Sequence, residues 1–342
     1  MQSFKQRRLA WLPVILAFGV VAAACGGDDD DADAGTGSDG GSASGSINIS
    51  GSSTVEPISS LAAEAFQSEN GDVQIAVDGP GTGDGFELFC GGETDISDAS
   101  RAIDEDEAAA CEAAGIEYVE LQVAYDGMAV MTSTDNEDVE CLNFADLYAL
   151  IGPEAEGFGN WSDAAAIAGE LGSTTELPDA ELALTGPGTE SGTYDSFIEI
   201  ALADTAEARG QDPEATRTDY NSSADDNTII SNIEASPSSL GWVGFAFAEQ
   251  AGDAVREIPI APDAGTCEEA VEPSADTISD QTYPLSRPLY IYVNTAKAEE
   301  NEALAQFVDF YLENLSEFVE EGGYVTMPED QVDSTTSAWT DR

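Results

Sequence analysis

The chain has 342 residues, enough for two domains with sizeable cores, and its 68 Asp and Glu against 10 Lys and Arg give a formal charge of −58. Apolar residues make up 42 % of it, which argues for a folded protein rather than an acidic disordered one, while the charge repels polyphosphate and excludes nucleic acid as a partner. There is no histidine, which removes Ser-His-Asp and Cys-His catalysis, histidine zinc sites and histidine acid–base chemistry together.

Residues 1–24 read as an address. Lys5, Arg7 and Arg8 precede an apolar run from Leu9 to Ala24 that ends in "AAAC". The run is short of the ~20 residues needed to cross a bilayer core. It resembles a bacterial lipoprotein signal, which implies cleavage before Cys25 and a diacylglycerol on its sulfur. Residues 25–46 follow as a tether, "GGDDDDADAGTGSDGGSASGS" after the cysteine, with no apolar side chain larger than alanine. Its aspartates do not make an EF-hand, because Ala34 stands where that loop needs glycine.

Strands and helices then alternate. "SINIS" and "VQIAV" are short strands, and Pro57 opens a helix with an apolar stripe at Ile58, Leu61, Ala62, Ala65 and Phe66. "DISDASR" is a strand and its exit, "DEDEAAACEAAG" a helix with acids in its first turn, and "IEYVELQVAY" a strand. Helices are expected around "NFADLYALI", "SGTYDSFIEIALA" and "DDNTIISNIEAS", strands at "REIPI" and "PLYIYVN", and one long amphipathic helix from Ala298 to Phe318. This alternation predicts an α/β architecture with mainly parallel sheets. Two stretches look like crossings between domains: "QVAYDGMAVM", a strand interrupted by Tyr-Asp-Gly, and "TYPLSRPLYIYV". They predict a discontinuous lobe I (47–125 and 286–342) with lobe II (126–285) inserted, closing on a ligand by hinge motion.

Besides Cys25 there are Cys90, Cys111, Cys141 and Cys267, an even number that in an exported chain reads as two disulfides. Three connectivities are open. Cys90 and Cys111 bracket a short segment and are expected to pair, leaving Cys141 with Cys267. Without a C-x-x-C there is no thiolate metal or redox motif, and no cofactor is expected.

Four loops carry the chemistry. "ISGSSTVEP" places Ser53 and Thr54 ahead of a helix, "GPGTGDGF" places Thr82 there, "DISDASRAI" puts Ser100 and Arg101 at a strand end, and "GPGTESGTYDSF" sets Ser191, Gly192 and Thr193 at another helix start. Hydroxyls, free N–H groups and helix dipoles in such loops suit an anion. Any one of them alone is an ordinary cap or turn. Nucleotide fingerprints are missing: neither G-x-G-x-x-G nor GK[ST] occurs in these loops.

Together with "SADDN…LGWVGFAFAEQ" and "PLSRPLYIYV", these pieces resemble the phosphate-binding proteins of bacterial high-affinity phosphate ABC importers, the PstS-type family. The resemblance runs from about Ile47 to the C-terminus. It implies a two-lobed periplasmic-binding-protein type II clamp and capture of inorganic phosphate for the permease subunits of an importer. It also implies a monomeric, extracytoplasmic, lipid-anchored receptor and no enzymatic activity. It implies Ser53, Thr54, Thr82, Ser100, Ser191, Gly192 and Thr193 as ligands. The well-known form of the family carries Asp in the third loop and Arg before the SGT of the fourth, where this chain has Arg101 and Pro187. An exchanged pair is therefore expected, with Arg101 balancing the ligand and Glu190 accepting its proton, and with Asp98 and Asp84 as rival acceptors. The alternatives are another tetrahedral oxyanion (sulfate, molybdate or tungstate) and a secreted phosphoesterase.

Overall fold

The computed structural model describes residues 44–189 and 191–342; Cys25, most of the tether and Glu190 lie outside them. In chain order the first half runs β1 (Gly45–Gly51), α1 (Glu56–Glu69), β2 (Val73–Asp78), α2 (Thr82–Cys90), β3 (Ile96–Ala99), α3 (Glu105–Ala114) and β4 (Tyr118–Thr132). There follow β5 (Leu142–Asn143), α4 (Phe144–Ile151), α5 (Ala165–Glu170), β6 (Ala183–Gly186), α6 (Gly192–Phe197), α7 (Ala203–Ala208), β7 (Asn221–Ser222), α8 (Asp226–Ala235) and β8 (Ser239–Gly244). The chain ends with α9 (Phe245–Ala251), β9 (Arg256–Glu257), β10 (Ile260–Ala261), α10 (Ala275–Ser279), β11 (Ser286–Asn294), α11 (Thr295–Glu300), α12 (Glu302–Glu313), α13 (Leu315–Glu321) and α14 (Glu329–Thr340).

One sheet of nine strands, ordered β2-β1-β3-β11-β4-β8-β6-β7 with β9 also on β4, carries both lobes. β1, β2 and β3 are parallel, as are β6, β7 and β8, so the α/β reading holds in each lobe. The loops after β1, β2 and β3 leave one edge of the sheet, and the loop after β6 leaves the parallel set of the other lobe. Carboxyl ends of parallel strands, where helices begin, are where open α/β sheets bind ligands.

β4 joins the lobes. Its first part pairs antiparallel with β11, from Tyr118↔Asn294 to Gly127↔Ser286, and its last part pairs with β8 from Met128↔Gly244 to Met131↔Gly241. The expected interruption at Tyr-Asp-Gly is absent: Tyr125 and Asp126 are buried and stay in register with Pro288 and Arg287, so the ladder continues. The expected long C-terminal helix is three helices, broken at Asn301 and Asn314. Asn301 Oδ1 accepts from Ala303 N at 3.2 Å, and Asn314 Nδ2 donates to Phe310 O at 2.9 Å, the local side-chain bonds by which asparagine ends helices. "REIPI" splits at Pro259 into β9 on β4 and β10 on β5.

The lobe II core closes around Trp242, whose ring stacks on Phe197 at 4.8 Å between centroids. The ring lies over Gly186, where a Cβ would come within 2.5 Å of it, so the loop leaving β6 can start only from glycine. Cys90 at the end of α2 is paired with Cys111 in α3, their Cα atoms 4.3 Å apart. Cys141 before β5 is paired with Cys267 after β10 at 5.5 Å, so both expected pairs are adjacent in space.

Candidate functional site

The loop after β1 is pressed against β3. Ser52 N donates to Asp98 O at 2.8 Å, and a Cβ on Gly51, whose φ is +152°, would come within 2.0 Å of that same oxygen. Gly81 N donates to Gly51 O at 2.8 Å, drawing the loop after β2 alongside. At the start of α2 the Thr82 hydroxyl accepts from Ser100 N at 3.2 Å and shares a 3.0 Å hydrogen bond with the Ser100 hydroxyl. The three loops of lobe I thus meet through their own backbone and hydroxyl groups.

From the other lobe, Ser191 caps α6, its hydroxyl accepting from Thr193 N at 3.2 Å. The Ser-Gly-Thr turn lies against the first loop, so closely that a Cβ on Gly192 would sit 3.2 Å from Ser53 O. Side chains bridge the lobes at this point. The Ser53 hydroxyl donates to Asp195 Oδ2 at 2.8 Å, and the Thr54 and Ser196 hydroxyls share a 3.0 Å bond. Pockets of about 370 Å³ and about 450 Å³ open beside the Ser53–Asp195 contact, and Gly79 and Thr189 line both.

Arg287, the second residue of β11, points into this junction. Its Nη2 donates to Thr54 Oγ1 at 3.1 Å and to Ser196 Oγ at 2.7 Å, its Nη1 pairs with Glu199, and its Nε faces Asp126 Oδ2 at 3.5 Å. The Arg287 and Asp126 side chains are only 12 % and 6 % exposed. Burial pushes the Asp126 carboxyl up against the opposing field of Arg287, and burial likewise raises Asp195 despite the hydrogen bond from Ser53. The site therefore offers one guanidinium, several hydroxyls, a helix start and carboxylates inclined to hold protons.

Of the residues singled out from sequence, the structure brings Ser53, Thr54, Ser191, Gly192 and Thr193 to the junction, and Thr82 and Ser100 to the neighbouring loops. Arg101 bonds none of these groups. Its guanidinium lies over Phe86 and makes two hydrogen bonds to Glu107, at 2.7 and 2.8 Å, with 45 % of the side chain exposed. Arg287, Asp126, Asp195 and Ser196 were not singled out. Asp195 and Ser196 sit just past the threonine of the fourth-loop motif, and Arg287 follows Ser286 at the start of a strand, away from any Gly-rich loop or helix start. Its available signal was scarcity, for only seven basic residues follow Cys25.

Asp98 is fully buried in the helix layer rather than turned to the junction. The Ser59 hydroxyl of α1 donates to its Oδ1 at 3.0 Å and lies 3.4 Å from the Tyr311 hydroxyl of α12, while Oδ2 has no partner. Burial, outweighing the Ser59 bond, lifts this carboxyl from 3.8 to about 7. A folded value above the unfolded one means that the folded chain keeps a proton which the unfolded chain releases. Stability is then full below the ordinary value and falls as pH rises from about 4 to about 7, by roughly 4 kcal/mol for this group. Denaturant unfolding should show wild type losing more stability between pH 5 and pH 8 than Asp98→Asn does; equal losses would refute the assignment.

Residues 36–314 match the family model of the PBP superfamily domain. Protein SphX of Synechocystis sp. is 37 % identical over 287 residues, covering 83 % of this chain and 79 % of that protein. The phosphate-binding protein PstS of Staphylococcus epidermidis is 33 % identical over 314 residues, covering 92 % and 87 %. Among solved structures, one described as a possible phosphate binding protein from Planctomyces limnophilus superposes with a TM-score of 0.77 at 34 % identity, covering 88 % of this chain and 99 % of that one. An ABC-type phosphate transport receptor from Vibrio cholerae shares the fold, with a TM-score of 0.58 at 23 % identity over 82 % and 100 % of the two chains. On the family model, the PstS relative and the shared fold, the chain belongs to the PBP superfamily, in the PstS-type family of phosphate-binding proteins.

Proposed function

We propose that the protein captures inorganic phosphate outside the cytoplasm and delivers it to the permease of an ABC importer. The observation that carries this reading is the meeting of Arg287 with the Thr54 and Ser196 hydroxyls between the lobes, beside the Ser191–Thr193 helix start. In the mechanism, Ser53, Thr54, Thr82 and Ser100 from lobe I and Ser191, Gly192 and Thr193 from lobe II grip the oxygens. Arg287 supplies the buried positive charge, and Arg101 stays at the rim with Glu107. A chain of formal charge −58 can hold a dianion this way, because oriented dipoles act at hydrogen-bond range whereas surface carboxylates are screened within about 8–10 Å.

Asp195 is the acceptor of the ligand's proton in this reading: it reaches across to Ser53, and burial favours a proton there. Glu190 is the rival acceptor. Lobe I comprises 47–125 and 286–342 and lobe II 126–285, which sets Asp126 and Arg287 at the two crossings. Calorimetric titration of the mature protein should show tight phosphate binding and weak or no sulfate binding. Sulfate, molybdate or tungstate binding as tightly as phosphate would remove the assignment.

The same reading makes the receptor a monomer held at the membrane by lipid on Cys25, with the cleaved signal ending at residue 24 and the Gly/Ser/Asp-rich tether ending where β1 begins at Gly45. Among the described residues no helix is long and apolar enough to cross a membrane. Export also favours oxidation of both cysteine pairs. Non-reducing peptide mapping of native protein should find a lipid-modified Cys25 and the links Cys90–Cys111 and Cys141–Cys267. An unmodified Cys25, or a Cys111–Cys141 link, would contradict this part.

A further inference from the structure

Four side chains compete for Arg287, and they are not equivalent. Asp126 is fixed in β4, in register with the arginine, and Thr54 and Ser196 are buried hydroxyls. Glu199 differs: it is half-exposed, at 52 %, yet bonds the arginine's Nη1. It sits at the start of a π-helical turn, Ile198–Leu202, between α6 and α7, four residues beyond Asp195. Residues four apart on a helix share a face, so α6 and the wide turn present two carboxylates in succession to lobe I.

We propose that Glu199 is a displaceable counter-ion of Arg287 that sets the affinity of the site by competing with the ligand for that guanidinium. The inference rests on the receptor reading above. An oxyanion gripped by Arg287 makes its best contact through paired N–H groups of the planar fork. Nη2 is taken by hydroxyls that can themselves turn toward a ligand, Nε faces Asp126, and one N–H of Nη1 is engaged by Glu199. Of the two carboxylates on the arginine, only Glu199 can return to water without burying an unpaired charge. Its field also reaches the rest of the cleft, adding to the burial-driven rise of Asp126 and Asp195 and to the Glu107-driven rise of Arg101. A dianion entering with Glu199 in place meets both a blocked donor and a like charge. With Glu199 swung outward it meets neither.

The test is Glu199→Gln in the full mature chain, titrated with phosphate beside wild type at low and high salt. The amide keeps the shape, is a poorer partner for the guanidinium and carries no charge. Phosphate binding should tighten about tenfold at low salt, with the gain shrinking as salt screens the carboxylate of wild type. Sulfate should gain by a similar factor, because the effect is one of charge rather than of proton donation. A merely structural role would weaken binding when lost, the opposite sign. Unchanged or weaker phosphate binding by a variant with a wild-type melting profile overturns the proposal while leaving the receptor reading standing. Absence of phosphate binding by wild type itself overturns both.

Discussion

Arg287→Ala should lose at least about a thousandfold in phosphate affinity, the largest effect of any single side chain in the molecule. The guanidinium is the one cation among the described junction contacts, 12 % exposed, with hydrogen bonds to groups of both lobes. Truncating one partner of a buried, hydrogen-bonded charge pair costs about 2–5 kcal/mol in comparable interfaces, and each 1.4 kcal/mol is tenfold. Here the loss also leaves Asp126 and Glu199 facing the dianion without their counter-ion. Arg287→Lys should recover only part of the affinity, since an ammonium cannot span Thr54, Ser196 and Asp126 as a planar fork does. Because removing Arg287 strands a buried carboxylate, the double variant Arg287→Met with Asp126→Asn separates binding from stability. It should fold at least as well as Arg287→Ala and still not bind. Arg101→Ala, by contrast, should change affinity less than about fivefold, its guanidinium being exposed and engaged by Glu107. If calorimetry reverses that order, the charge assignment of the site is wrong.

Asp195→Asn should collapse the preference for phosphate over sulfate by about two powers of ten or more. Near neutral pH phosphate is largely a monohydrogen dianion and can donate one hydrogen bond; sulfate cannot. An ionised Asp195 accepts that proton, but meets only lone pairs and charge when sulfate enters. A mismatch of this kind costs several kcal/mol. Burial raises the Asp195 carboxyl above its ordinary range, so its neutral form appears at higher pH than for an exposed aspartate. Sulfate binding by wild type should accordingly strengthen as pH falls, because a protonated Asp195 donates to an acceptor-only ligand, and the asparagine variant should lack that trend. Glu190→Gln is the comparison. Should it, rather than Asp195→Asn, equalise the two anions, the acceptor is Glu190.

The parts of the fold legible in the sequence were those set by local chemistry. Alternation of β-branched runs with helical stripes marked β1, β2, α1 and α4. Ser, Gly and Thr ahead of helices marked the loops, because caps and tight turns restrict residue type strongly. The cysteine pairing followed from an even number and one short span. What escaped was long-range. Arg287 acquires its meaning from β4, more than 150 positions earlier, through the Asp126 register, and no spacing rule links them. Arg101 sat in an anion motif, but Glu107 six residues on offered a fork-shaped partner at shorter reach. The breaks at Asn301 and Asn314 leave no mark on the apolar stripe, which continues through them.

β4 has a mechanical consequence. It passes from lobe to lobe with its ladder interrupted only by a bulge at Val123, where the register with β11 shifts between Leu289 and Tyr290, and the returning chain at Tyr283 and Leu285 is as buried as the strand it accompanies. No stretch of bare backbone joins the halves, so they cannot swing freely on a joint. Separation is then taken up as torsion along fifteen residues of strand and at the bulge opposite Leu289 and Tyr290, with a restoring torque that grows with angle. A clamp so built behaves as a spring whose rest position is written into the twist of its own sheet. Whatever opens it must do work against that twist, and the work is returned when the lobes are let go.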